Sequence, residues 1–118
     1  MNQDKIVSDD YGSKAMSRLE KKMTKEMLWI YILRLLQERP HYGYEIKELV
    51  KKRFGFQPAT VSGYAIIYRL IKDDLIEEQA RGDSKRKYYG ITEEGQQAMK
   101  RAKEFIHGVQ ETVFDLTE

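Results

Sequence analysis

The clearest structural signal in the chain is the segment Arg81-Gly-Asp-Ser-Lys-Arg-Lys-Tyr-Tyr-Gly-Ile-Thr-Glu-Glu-Gly95. The segment runs from the end of a strand through a turn and a second strand to the start of a helix. This order predicts a β-hairpin followed directly by a helix. The turn gathers four cations, Arg81, Lys85, Arg86 and Lys87, against the single acid Asp83. A projection of about +3 charges most often meets phosphate groups. The alternative is a solvated hairpin end that binds nothing, and the charges alone do not decide between the two.

Composition limits the kinds of protein that this chain can be. With 118 residues we expect a single hydrophobic core, and the 41% of hydrophobic residues argues against disorder. The net charge of +2 is too small to identify a partner, so any nucleic-acid signal must be local. Cysteine is absent, which excludes disulfides and thiolate chemistry and makes a reducing cytoplasm the expected location. The longest apolar run, Met27 to Leu33, is too short to span a bilayer, so we expect no membrane association.

Three helices are predicted before the hairpin. The segment from Lys25 to Glu38 is apolar nearly all round, which predicts a central helix covered on several sides. A second helix begins near Tyr44 and stops at Gly55, and a third begins at Ala59 or Thr60 and ends at Asp73. Gly63 falls on the inner face of the third helix, where it predicts the close approach of another helix.

Three helices followed by a two-stranded hairpin form a winged helix-turn-helix, a mainly α fold with a small β-hairpin. In this fold the third helix enters the major groove of DNA and the hairpin, or wing, touches the flanking backbone. The side chains suited to contact DNA lie on the outer arc of the third helix and on the hairpin: Ser62, Tyr64, Tyr68, Arg69, Lys72, Arg81, Lys85, Arg86 and Lys87. A structural alternative is that Tyr64 and Tyr68 pack on the hairpin and that Arg69 pairs with Asp73.

The two ends of the chain predict helices that pair two copies. Residues 13–23 form a short amphipathic helix, and Thr92 is a hydroxyl N-cap for a long last helix. Apolar residues recur on these helices at spacings of three and four: Met16, Leu19 and Met23, then Met99, Ala102, Ile106, Val109, Val113 and Leu116. The last six form a heptad seam, which favours a homodimer. The alternative is that the seam folds back on the first helix of its own chain. We therefore divide the chain into a tail and short helix (1–24), a winged helix-turn-helix (25–91) and a dimerisation helix (92–118).

Four ordered motifs closely resemble those of the PadR-like transcriptional regulators: Tyr42-Gly-Tyr-Glu-Ile46, Tyr64 with Tyr68-Arg-Leu70 and Leu75-Ile76, Gly82 with Lys85-Arg-Lys-Tyr-Tyr89, and Ile91-Thr-Glu-Glu-Gly95. The resemblance covers about Leu28 to Ala98. It implies a homodimeric winged-helix repressor that binds double-stranded DNA at an inverted-repeat operator and dimerises through its terminal helices. It also implies DNA contacts by Tyr64, Arg69, Lys85, Arg86, Lys87 and Tyr88. Two positions depart from the family pattern, Asp74 in place of a glycine and Ala65 in place of a proline, and they bear on local helix geometry.

Other functions find less support in the sequence. There is no Ser/His/Asp set, carboxylate dyad or phosphate loop, so we do not expect an enzyme or a cofactor. His41 and His107 are isolated, without paired carboxylates at ligand spacing, so we expect no metal site. Trp29, Tyr31, Met99 and Phe105 are candidates to line a pocket for a small aromatic effector, although such a stripe is usually core. The rival to a DNA-binding regulator is a winged-helix module that binds protein and not a specific DNA sequence.

Overall fold

The computed structural model describes residues 13–58, 60–82 and 85–115. In these ranges the α-helices are α1 (Lys14–Met23), α2 (Leu28–Glu38), α3 (Gly43–Leu49), α4 (Thr60–Lys72) and α5 (Glu93–Val109). The strands are β1 (His41–Tyr42), β2 (Ile76–Gln79) and β3 (Tyr88–Ile91). A 3-10 turn, Lys25–Met27, joins α1 to α2, and π-helical turns extend α3 to Phe54 and α5 to Phe114. Ala59, Asp83 and Leu116 lie outside the described residues.

Helix α2 is the centre of the core, as its all-round apolar sequence predicts. It buries Leu28, Ile32, Leu33, Leu35 and Leu36. Burying side chains of this kind contributes about 1.5–3 kcal/mol each. Residues of α3, α4, β2 and β3 complete the cluster: Ile46, Val50, Phe56, Ile67, Leu70, Ile76 and Tyr89. The described part of the chain contains no helix with the length and apolarity that a bilayer crossing requires.

Helices α3 and α4 form the helix-turn-helix. Gly55 ends the first of them at a φ of 82°, a left-handed conformation that glycine adopts without steric cost, which confirms the predicted stop. The prediction for Gly63 was wrong, since no atom of another described helix lies within 4 Å of the position that its Cβ would occupy. Gly63 instead lines a cavity of about 20 Å³, beside Leu28 and Ile46.

The sheet has one more strand than the sequence predicts. The hairpin of β2 and β3 is present, but β1 also pairs antiparallel with β3, and the strand order is β1-β3-β2. His41 pairs with Tyr89 and Tyr42 pairs with Tyr88. The added strand is only two residues long, too short to produce an alternating pattern in the sequence. It attaches the wing, which we define as residues 76–91, to the turn between α2 and α3.

One junction connects the end of α4 with the start of α5. Asp74, where the family pattern has glycine, takes a φ of 61°, and its carbonyl accepts the Thr92 hydroxyl at 2.6 Å. Thr92 also caps α5 by accepting the Gly95 N–H at 3.0 Å, which confirms the predicted N-cap. A Cβ at Gly95 would overlap the carbonyl oxygen of Leu75, so only glycine fits there. The junction therefore fixes the direction of α5 relative to α4.

The two interior glycines lead to opposite predictions for alanine. Gly63→Ala should stabilise the protein by about 0.5–1 kcal/mol, because alanine has the higher helix propensity and its methyl group would enter open space. Gly95→Ala should destabilise it by about 1–3 kcal/mol, because the added methyl group overlaps backbone. Urea unfolding of both variants at one protein concentration checks this. A loss of stability in Gly63→Ala would contradict the open space at this position.

Candidate nucleic-acid interface

The turn between α2 and α3 is held by Glu45, the acid of the Tyr42-Gly-Tyr-Glu-Ile46 motif. Its carboxylate lies 2.9 Å from Arg39 Nη2 and 2.9 Å from His41 Nδ1. Burial alone would raise the pKa of Glu45, but the hydrogen bond from Arg39 and the contact with His41 outweigh it and lower that pKa. The motif therefore supplies the ionic contacts that fix the start of α3.

Gly43 and Tyr64 set the distance between the start of α3 and α4. A Cβ at Gly43 would stand 2.9 Å from Tyr64 Cε1, so the absence of a side chain there allows the ring to lie against the backbone. Tyr64 nevertheless stays 52% exposed. The sequence left open whether Tyr64 packs or faces a partner, and in the structure the same ring packs with one side and is accessible on the other.

A crevice separates the wing from the first turns of α3 and α4. Its volume is about 440 Å³, and it is lined by Tyr42, Gly43, Tyr44, Tyr64, Arg86, Lys87 and Tyr89. Burial raises the pKa of Tyr89, and the nearby Glu78 and Tyr64 raise it further, so its phenol stays protonated. Tyrosine hydroxyls and two cations around one opening are the donors that bind phosphate oxygens. Sequence reasoning missed Tyr44 as a candidate donor and Tyr42 as a residue that lines the crevice, although the Tyr-Gly-Tyr run before a helix was a visible signal.

The other candidates of α4 lie one and two turns beyond Tyr64. Tyr68 is 62% exposed, and Lys72 Nζ lies 5.7 Å from the centre of its ring. Arg69 is exposed, and within the described chain no ion pair joins it to Asp73. The outer arc of α4 therefore presents one aromatic and two basic side chains to solvent. The backbone at Ser62 is helical, but its side chain is outside the described residues.

The wing carries its cations in three kinds of surroundings. Lys85 is exposed, and Lys87 Nζ is 3.7 Å from Glu78 Oε1. The guanidinium carbon of Arg81 lies 5.1 Å from the centre of the Tyr88 ring, and that of Arg86 lies 4.6 Å from the centre of the Tyr42 ring. Arg81 and Arg86 thus lie against tyrosine rings, and Arg86 and Lys87 line the crevice.

Comparison with known proteins identifies the architecture. Residues 32–101, more than half of the chain, match the model of the transcriptional regulator PadR-like family. The chain belongs to this family. The resemblance inferred from the four sequence motifs is thereby confirmed.

Relatives of this PadR-like chain agree with the assignment. The PadR-like transcriptional regulator of Bacillus cereus is 31% identical with a TM-score of 0.69, over 80% of this chain and 94% of that chain. A PadR family transcription regulator of Clostridium difficile is 29% identical with a TM-score of 0.62, over 72% of this chain and 95% of that chain. A curated, uncharacterized protein of Lysinibacillus sphaericus is 41% identical in a 69-residue alignment that covers 54% of this chain and 63% of that protein. These comparisons confirm the winged-helix fold class, and membership in a family of transcriptional regulators agrees with the expectation that the chain is not an enzyme.

The terminal helices of the PadR-like chain leave apolar side chains exposed. Met16 and Leu19 of α1 are 40% and 49% exposed, and Ile106, Val109 and Val113 at the other end are also accessible. Met23, Ala102, Ile106 and Val109 line a groove of about 600 Å³, whereas Met99 packs against the core. Phe105 and Phe114, which the predicted seam omits, are exposed as well. Within the described residues, the first helix of the same chain therefore leaves Ile106, Val109 and Val113 of the seam accessible.

The residues proposed for an aromatic effector are brought together only in part. Trp29 and Phe105 line the groove at the terminal helices. Tyr31 instead lies with its ring centre 5.0 Å from that of Phe54 and 5.0 Å from that of Phe56, and its hydroxyl donates to the Met23 carbonyl. Burial raises the pKa of Tyr31, in keeping with a core position.

The two histidines are not isolated from carboxylates, which corrects the sequence reading. His41 is buried beside Glu45, and His107 Nε2 lies 3.4 Å from Glu111 Oε1. His107 meets Glu111 across one turn of the last helix, whereas His41 lies in β1 and meets Glu45 in the first turn of α3. The described residues contain no group of three or more His, Cys, Asp or Glu arranged to hold a metal ion.

The lowered pKa of Glu45 makes the turn sensitive to acid. A carboxylate whose pKa is lowered in the folded state stabilises the protein at pH values above its ordinary pKa of 4.5. This contribution to stability is lost as the pH falls and the carboxylate becomes protonated. Glu45→Gln should therefore cost about 1 kcal/mol near pH 7, and the difference from wild type should shrink towards about pH 3. Urea unfolding across this range measures the effect, with Glu48→Gln as a control on the exposed side of the same helix. A constant difference at all pH values would contradict the ionic role of Glu45.

Proposed function

We propose that this PadR-like chain is a transcriptional regulator that binds double-stranded DNA sequence-specifically as a homodimer. The observation that supports this most directly is the crevice, whose lining includes four side chains with hydroxyl or cationic donors, Tyr44, Tyr64, Arg86 and Lys87. Beside it, α4 exposes Tyr68, Arg69 and Lys72. The arrangement suits a helix that reads base edges while tyrosines and wing cations hold the adjacent backbone.

Each group of candidate residues has a separate part in the proposal. Arg69, Lys72 and Tyr68 contact the bases or the nearest phosphates from α4, and Ser62 is assigned to this group from the sequence alone. The wing cations and Tyr64 contact the sugar-phosphate backbone, which gives affinity without sequence information. Residues 25–91 then form the DNA-binding part of the chain.

Residues 1–24 and 92–118 form the dimerisation part in this proposal. The exposed apolar residues of α1 and α5 and the groove between them would be covered by the same helices of a second copy. A two-fold dimer places two α4 helices on half-sites about one turn of DNA apart, so the operator is an inverted repeat. Because the partner helices would fill the groove at Trp29 and Phe105, we assign this groove to dimerisation rather than to an aromatic effector.

The family resemblance implies that the protein represses transcription rather than activating it. A dimer that occupies an operator next to a promoter excludes other proteins from the same DNA. Transcriptional regulators act where the DNA is, so we propose a cytoplasmic location. The rival remains a winged-helix module that binds another protein.

The DNA-binding proposal is tested on the duplex upstream of the chain's own gene, searched for an inverted repeat. Arg69→Ala should weaken specific binding by about 1–3 kcal/mol while scarcely changing binding to a scrambled duplex. The control is Arg34→Ala, which removes the same side chain from α2. Replacing Lys85, Arg86 and Lys87 together by alanine should weaken binding to both duplexes and reduce the slope of affinity against salt. Fluorescence anisotropy at several salt concentrations measures both effects.

Two outcomes would reject this proposal. Unchanged binding to the upstream duplex in both variants would show that neither α4 nor the wing contacts DNA. A wild-type dimer that is not retained on DNA at low salt would favour the protein-binding module.

The dimer proposal is tested by introducing a charge into the groove. Ile106→Lys should convert the dimer to monomer at micromolar concentration, because a lysine in an apolar interface would lose its hydration without a partner charge. Glu104→Lys introduces the same residue at an exposed position of α5 and should leave the dimer intact. Sedimentation velocity gives the mass of each variant. A dimeric Ile106→Lys protein, or a monomeric wild type, would contradict the proposed interface.

A further inference from the structure

Four side chains of the wing and of the turn before α3 form one continuous stack, Arg81, Tyr88, Tyr42 and Arg86, which we call the wing stack. The two tyrosine ring centres are 5.4 Å apart and their planes meet at 73°, an edge-to-face arrangement. The Arg81 guanidinium covers the outer side of Tyr88 at 5.1 Å, and the Arg86 guanidinium covers Tyr42 at 4.6 Å. Both distances are within the range of cation–π attraction.

Strand register accounts for this stack. Tyr42 and Tyr88 are direct partners across β1 and β3, and Tyr88 also faces Gln79 across β2 and β3. Directly paired residues project on the same face of a sheet, and side chains two residues apart along a strand do so as well. Arg81 is two residues beyond Gln79, so the chain continues the same row past the end of β2.

The stack joins the wing to the helix-turn-helix through Tyr42. Tyr42 is the last residue before α3 and also lines the crevice. The contact with Tyr42 therefore holds the Arg86 guanidinium beside the start of α3, in addition to the constraint from its own loop. Arg81 is connected to the same point through Tyr88.

We propose that Tyr42 is a positioning residue for DNA binding, which acts through its ring on Arg86 and, through Tyr88, on Arg81. This inference rests on the proposed DNA-binding function. An exposed arginine loses most of its rotamer freedom when it binds a phosphate, and an arginine already held against a ring has less to lose. The stack thus orders both guanidinium groups in the free protein, so that they are already positioned to bind the phosphates of the DNA backbone. The competing role for Tyr42 is a direct contact, in which its hydroxyl donates to a phosphate.

The first test uses the free dimer without DNA. The Nε–Hε signals of Arg81 and Arg86 should be displaced from ordinary arginine positions in NMR spectra, because both groups lie over aromatic rings. Tyr42→Ala should return the Arg86 signal to the ordinary position, whereas Tyr42→Phe should leave it displaced. An Arg86 signal that is ordinary in wild type, or unchanged in Tyr42→Ala, would show that no such stack forms in solution and would overturn the inference.

The second test is a double-mutant cycle on the upstream duplex. Tyr42→Ala should weaken binding roughly tenfold, and Tyr42→Phe should stay within about twofold of wild type. In a protein that already carries Arg86→Ala, Tyr42→Ala should cost much less than in wild type, because its largest effect is exerted through Arg86. Combined with Arg69→Ala, which is outside the stack, Tyr42→Ala should keep its full effect. If Tyr42→Ala does not fold, Tyr42→Leu takes its place, since leucine keeps the apolar bulk without the ring.

The outcomes separate this inference from the function on which it rests. Equal losses in Tyr42→Phe and Tyr42→Ala would assign a direct contact to the hydroxyl, and additive losses with Arg86→Ala would remove the positioning role. If the wild type binds no duplex, the proposed function fails and the positioning role fails with it, while the NMR spectra still report whether the stack exists.

Discussion

The close approach of Gly95 to the Leu75 carbonyl determines how the parts of this molecule are arranged. At this point the end of α4, the start of β2, the end of β3 and the start of α5 meet. The Thr92 N–H donates to the Leu75 carbonyl at 3.1 Å, and the Thr92 hydroxyl donates to the Asp74 carbonyl. Because backbone contacts backbone here, the junction has little capacity to adjust. The junction thereby fixes the orientation of α5 relative to α4, the helix that carries Arg69.

Local charge matters more than net charge in this chain. A net charge of +2 would suggest no preference for nucleic acid, yet the wing and α4 place their cations on adjoining surfaces. Some of these cations interact within the chain, as Lys87 does with Glu78, but an exposed pair of this kind contributes only about 0–1 kcal/mol and gives way readily to a phosphate. Tyrosines occupy the spaces between the basic groups. They add donors and stacking surfaces without adding mutual repulsion among the cations.

The sequence predicts the elements with long or strongly punctuated patterns. Three such features are found at the predicted positions: the apolar run of α2, the helix stop at Gly55 and the N-cap at Thr92. Each of them depends only on residues close in sequence. What could not be predicted depends on residues distant in sequence. The two-residue strand β1 has no period of its own, and the open space at Gly63 depends on how α2 and α3 pack. The contact of Glu45 with His41 was overlooked, although Glu45 lies in the first turn of the helix that begins just after His41. The wing stack depends on the register of β1 against β3, and no local sequence pattern indicates that register.

The pairing of β1 with β3 also has a consequence for how the molecule folds. These strands stand on either side of the helix-turn-helix in the chain, so their pairing closes a loop that contains all of α3 and α4. Contacts between residues so distant in sequence form after local helices and slow the folding reaction. A chain emerging from the ribosome cannot complete the sheet until the wing has been synthesised. We therefore expect a truncated chain that ends before Tyr88 to form helices without a finished core, and expect the cell's proteases to remove it before it competes with the complete regulator.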